Sequence, residues 1–61
     1  MKEIIVSKPD KRRLGLKMFI DNASVTLMLF DNENNDRDAI YMYAEEFEIV
    51  NNHVQKFLHD I

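Results

Sequence analysis

DAIYMYAEEFEIVNNHVQKFLHDI, residues 38–61, carries two competing periods, and which of them prevails decides the fold. Ile40, Tyr43, Phe47, Val50, Val54, Phe57 and Ile61 recur at alternating spacings of three and four, as a stripe along one helix face does. Ala44 and Leu58 widen that stripe. Asp36 and Asp38 are good N-cap residues with their charge at the favourable helix end, and residues 39–48 are rich in helix formers. This reading predicts one long helix over about 38–59. The same residues also alternate: Ile40, Met42 and Ala44 on one side, Tyr41 and Tyr43 on the other, with aromatics that favour a strand. The second reading makes 39–44 a fourth strand and starts the helix near Glu45, where no obvious cap stands. The unbroken stripe and the caps favour the long helix. Asn51 and Asn52 weaken both versions at the same place.

Upstream, the period of two is less ambiguous. Residues 2–7 read as a short strand centred on Ile4, Ile5 and Val6, ended by Pro9, which cannot donate to a ladder. Residues 14–20 and 25–30 read as a hairpin joined by the turn chemistry of Asp21, Asn22, Ala23 and Ser24. Gly15, the only glycine, marks a bulge or a close backbone approach. Residues 31–38 (DNENNDRD) form a polar loop. The expected fold is a single α+β domain over 1–61: an antiparallel sheet of three strands, or four on the second reading, packed against a C-terminal helix. Leu16, Met18, Val25, Leu27 and Leu29 should meet Phe47, Val50, Val54 and Phe57.

A chain of 61 residues buries only about 60% of its extended-chain surface on folding. Without cysteine it has neither disulfides nor thiolate metal sites to widen that thin margin. Association is the remaining common route. The strands carry apolar residues on both faces, so one sheet face stays uncovered after the helix has docked. Phe19, Met28 and Phe30 mark it, with Met42 and Ile49 as a second apolar line on the long helix. These five are the candidate protein interface, for a homodimer or another protein.

The net charge of -3 conceals a segregated chain. Residues 1–20 balance to +4 and residues 21–61 to -7. Lys8, Lys11, Arg12 and Arg13 surround the first loop and are candidate phosphate contacts, but no basic helix or interleaved aromatics accompany them. Asp31, Glu33, Asp36, Asp38 and Glu45 form an acidic surface suited to a basic protein partner.

Signs of catalysis are absent from the pattern. Asp31, Glu33 and Asn35 alternate like calcium ligands, yet Asp36 stands where that loop needs glycine and Met42 where it needs glutamate. His53 and His59 are not at the i, i+4 spacing of a helical metal pair. One glycine cannot build a phosphate-cradling loop. The expectation is a small non-enzymatic, cytoplasmic regulator or inhibitor that binds protein, with no catalytic residues, cofactor, metal, membrane span or small-molecule substrate. A nucleic-acid accessory protein using the loop 8–13 and a structural subunit of a larger assembly are the alternatives.

Overall fold

Four stretches of alternating side chains pair in chain order to make one antiparallel sheet, β1-β2-β3-β4, followed by a single helix. The computed structural model describes residues 1–60 and comprises β1 (Lys2–Ser7), β2 (Gly15–Ile20), β3 (Ser24–Phe30), β4 (Asp36–Tyr43) and α1 (Ala44–His59). The fold is therefore α+β, with four strands and the helix in contact with β3 and β4. No helix among the described residues is long and apolar enough to cross a membrane.

Of the two readings of residues 38–44, the structure takes the strand, and the long helix is corrected to a short one. Pairing decides it: Val25 faces Met42, Thr26 faces Tyr41, Leu27 faces Ile40 and Met28 faces Ala39. Cross-strand partners of this kind outweigh local helix propensity. Tyr41 and Tyr43 lie on the same side and meet edge to face, ring centres 5.9 Å apart. Asp36 and Asp38 do not cap the helix. Asp36 pairs with Lys17, and the Asp38 carboxylate accepts from the Ala39 N–H. The cap comes from within the helix instead: the Glu46 carboxylate accepts from the Tyr43 N–H at 2.9 Å. Glu45 and Glu46 in the first turn and Lys56 and His59 in the last suit the helix dipole. Ile61, the last residue of the expected stripe, lies outside the described residues.

Each turn uses an aspartate as an internal acceptor. In the β1–β2 loop Asp10 Oδ1 accepts from the Arg12 and Arg13 N–H groups. Asp21 Oδ1 accepts from the N–H groups of Ala23 and Ser24, both at 2.8 Å, and from the Ser24 hydroxyl. Asp31 Oδ1 accepts from the Glu33 and Asn35 N–H groups in the β3–β4 hairpin. That hairpin closes through Asn34 at φ 64°, a left-handed conformation asparagine tolerates. Gly15 marks a close approach: a Cβ there would sit 2.6 Å from the Phe30 ring and 2.7 Å from Pro9.

Register sorts the side chains into two unequal faces. One face carries the row Ile4–Met18–Leu27–Ile40, flanked by Ile20–Val25–Met42 and by Leu16–Leu29. Its only charged members are Lys2 and Asp38, at opposite margins. The other face mixes Glu3–Phe19–Thr26–Tyr41 with Ile5–Lys17–Met28–Ala39. Val25 on the first face and Phe30 on the second are the only buried large apolar residues among those described, at 5% and 6% exposure.

The helix does not supply the missing cover. It touches β3 and β4 but neither β1 nor β2, and none of its residues is buried. Val50 is 51% exposed, Val54 49% and Phe57 69%, so these three do not complete the expected layer on Leu16, Met18, Val25, Leu27 and Leu29, whereas Phe47 is half-buried and Val25 buried. The reason lies at the junction. β4 ends at Tyr43 and α1 begins at Ala44, leaving no loop in which the chain can reverse direction.

Candidate protein-interaction surface

Three surfaces compete as the working part of the molecule. The first is the apolar sheet face with its central row Ile4–Met18–Leu27–Ile40. Ile40, at the β4 end of that row, is 60% exposed, and Ile4, at the β1 end, is half-buried. Sequence reasoning assigned Leu16, Met18 and Leu27 to a covered core. They are half-buried, and the signal that the helix does not extend over β2 is the missing loop between residues 43 and 44, visible only once 39–44 is read as a strand.

The second surface is the helix stripe. With its first two members moved into β4, it consists of Phe47, Val50, Val54 and Phe57, broadened by Ala44 and Leu58. At 100° per residue these fall within one side of the helix, while Glu45, Glu48 and Lys56 lie well round from it. Ile49 also falls on the far side, alone among polar residues, and it is exposed. Met42, expected beside Ile49 on one helical line, instead sits half-buried on the apolar sheet face opposite Val25.

The third surface is the mixed sheet face that holds Phe19, Met28 and Phe30. Phe30 is covered by Gly15, Pro9 and Lys17 and is internal. Phe19 and Met28 are half-buried. Lys17 crosses this face: its Nζ lies 5.2 Å from the centre of the Phe30 ring, 5.7 Å from that of Phe19 and 3.1 Å from Asp36 Oδ1. The aliphatic stem thus covers ring surface while the ammonium reaches a carboxylate and water. Tyr41 and Tyr43, 62% and 58% exposed, extend the same face toward the start of α1.

The charged residues separate into groups. Lys8, Lys11, Arg12 and Arg13 project from the β1–β2 loop, exposed and without an ion-pair partner among the described residues. This loop shares one end of the sheet with the β3–β4 hairpin, and a concavity of about 280 Å³ between them is lined by Arg12, Arg13, Asp31 and Asn32. The five acidic residues do not form one patch. Asp31, Glu33, Asp36 and Asp38 are at the hairpin end, whereas Glu45 starts the helix at the other, roughly 20 Å away along β4. Several of these carboxylates are already engaged. The Asn35 N–H, then that of Glu33 and the Arg37 guanidinium at 3.7 Å, hold the Asp31 carboxyl below the usual carboxylate range against the opposing effect of burial.

Among the described residues no three His, Cys, Asp or Glu side chains cluster as metal ligands do. No family model, curated protein or solved structure matches the chain.

Proposed function

We propose that the protein is a non-enzymatic binding module, a regulator or inhibitor of another protein, working through apolar and acidic surfaces as a homodimer. The observation that carries this reading is a four-stranded sheet that the helix meets only at β3 and β4, with apolar side chains exposed or half-buried on both faces. A homodimer can occupy one face and leave the other for a target. The face that suits a target combines Phe19, Met28, Tyr41 and Tyr43 with the carboxylates of Glu45 and Glu48 beside it in the chain. Tyrosine, phenylalanine and methionine are the residue types enriched at protein interfaces, and the acidic helix start favours a basic partner.

The test is capture from the native host by immobilised protein, comparing the unaltered chain with Tyr41→Ala/Glu45→Lys. The reading predicts a partner held in stoichiometric amount by the unaltered chain, released by salt and lost with the variant. Absence of any such partner contradicts it. Lys8, Lys11, Arg12 and Arg13, exposed and without an ion-pair partner among the described residues, favour a second reading, contact with a nucleic-acid backbone. That reading predicts binding to generic DNA or RNA at low salt, where electrostatic association is strongest.

A further inference from the structure

We infer that the occupant of the apolar sheet face is the α1 helix of a second copy of this chain, the two copies exchanging helices reciprocally. The inference deepens the proposed function, resting on its claim that this protein acts as a homodimer.

One chain carries both halves of a two-layer core and closes them only in part: Val25 is buried and Met18, Leu27 and Phe47 are half-buried, while Ile40, Val50, Val54 and Phe57 are exposed. The sheet half is the row Met18, Leu27 and Ile40 with its neighbours; the helix half is Val50, Val54 and Phe57. Strand passes directly into helix, and within the chain the helix meets β3 and β4 but neither β1 nor β2. The Ala44 N–H bonds to the Ala23 carbonyl at 2.8 Å, which fixes the start of α1 against the β2–β3 turn. A helix leaving without a reversing loop can cover a neighbour's sheet, and exchange of identical elements is a low-cost route to a dimer.

Areas agree with this. The chain exposes 5270 Å², against about 4,200 Å² for a compact monomer of its mass. The surplus of roughly 1,100 Å² exceeds the ~800 Å² per partner of a standard protein interface. Its radius of gyration is 13.1 Å, where a compact chain of this length has about 10.5 Å. The dimensions match too: a helix of 16 residues spans about 24 Å, close to the length of β3 and β4. Docking through the stripe leaves Glu45, Glu48 and Lys56 in water. Stacking two apolar sheet faces directly is the competing arrangement, and it leaves both helix stripes bare.

Because the chain has no cysteine, introduced thiols report on contact without background. Chains carrying Leu27→Cys are unfolded and refolded together with chains carrying Val54→Cys, then oxidised. Ile40→Cys with Phe57→Cys is a second pair at exposed positions, so the test survives if the first pair misfolds. The mass of the unaltered chain is measured in parallel. The inference predicts a dimer of the unaltered chain and, in the mixtures, sheet-to-helix disulfides between different chains in several-fold excess over like-with-like pairs. A strict monomer at tens of micromolar overturns it. So does a dimer that yields only sheet-to-sheet or helix-to-helix links, or a Leu27→Cys/Val54→Cys double variant that closes within a monomer. In the last two cases a salt-sensitive partner lost with Tyr41→Ala/Glu45→Lys still supports target binding. An exchanged dimer that captures nothing contradicts target binding alone.

Discussion

The N–H of Ala44 donates to the carbonyl oxygen of Ala23 at 2.8 Å, so the first residue of the helix is still bonded to the turn that joins β2 to β3. This bond and the Glu46–Tyr43 cap hold the strand-to-helix junction at one corner of the sheet. From there the helix departs with Phe47 half-buried and Val50, Val54 and Phe57 exposed. The partly covered sheet and the exposed outer part of the stripe follow from that corner.

An isolated helix of this length is marginal in water, because most helical stability in proteins comes from packing an apolar face. If α1 docks on a second copy, helix content and melting temperature must rise with protein concentration. Val54→Asp should weaken association by about 2 kcal/mol or more, roughly thirtyfold in dissociation constant, and lower helix content at a fixed low concentration. Circular dichroism over a dilution series of both proteins checks this. Helix content independent of concentration in the unaltered chain speaks against docking in trans.

Gly15→Ala places a methyl group within 2.6–2.8 Å of the Phe30 ring and Pro9. Phe30 is buried and cannot swing into water without exposing apolar area. The expected loss is about 1–3 kcal/mol, the usual range for overpacking. Urea denaturation measures it; a change below about 0.5 kcal/mol shows that the loop at Pro9 yields freely.

Lys17 offers a separable test of charge and packing. Its ion pair with Asp36 is half in water, the Asp36 side chain being 56% exposed, so Asp36→Asn should cost no more than about 1 kcal/mol and the effect should fade in salt. Lys17→Ala also strips the stem from Phe19 and Phe30 and should cost about 1–2 kcal/mol, with a part that salt does not remove. Equal losses for the two variants contradict this division.

Acid should destabilise the turns. The Ala23 N–H, then the Ser24 hydroxyl and N–H, hold the Asp21 carboxyl below its ordinary value, and Asp31 is lowered chiefly by the Asn35 N–H. A carboxyl group lowered in the folded state contributes stability that is present above its unfolded-state pKa and lost as pH falls through the folded-state pKa. Stability should therefore decline on acidification below the usual carboxylate range, and Asp21→Asn/Asp31→Asn should flatten that decline. The readout is urea midpoint against pH; an unchanged acid limb in the double variant assigns it to other groups.

The sheet was legible because β1, β2 and β3 alternate between turns rich in Asp, Asn and Ser, residues whose short side chains bond their own backbone. Gly15 was legible as a close approach or a bulge, and Phe30 shows which. The stretch 38–44 misled because Ile40 and Tyr43 satisfy a period of three to four as well as a period of two. Its outcome depended on pairing with Ser24 through Phe30, a non-local contact that local propensity does not register. That one ambiguity then propagated. Met42 and Ile49 lost their common helical line, and the shortened helix met only β3 and β4. Face assignments along β2 and β3 were correct as alternation. The consequence that the helix leaves β1 and β2 without its cover, while Lys17 partly screens the mixed face, came from the strand-to-helix junction and from one long cationic side chain.

The most direct measurement of the central claim is sedimentation equilibrium on three chains at tens of micromolar: unaltered, Leu27→Lys and Phe19→Lys. Leu27 and Phe19 lie on opposite faces of the same sheet. The expected mass is twice the 7.3 kDa of one chain for the unaltered protein and for Phe19→Lys, and that of a single chain for Leu27→Lys. A single-chain mass for the unaltered protein, or a dimer that Leu27→Lys preserves and Phe19→Lys abolishes, contradicts it.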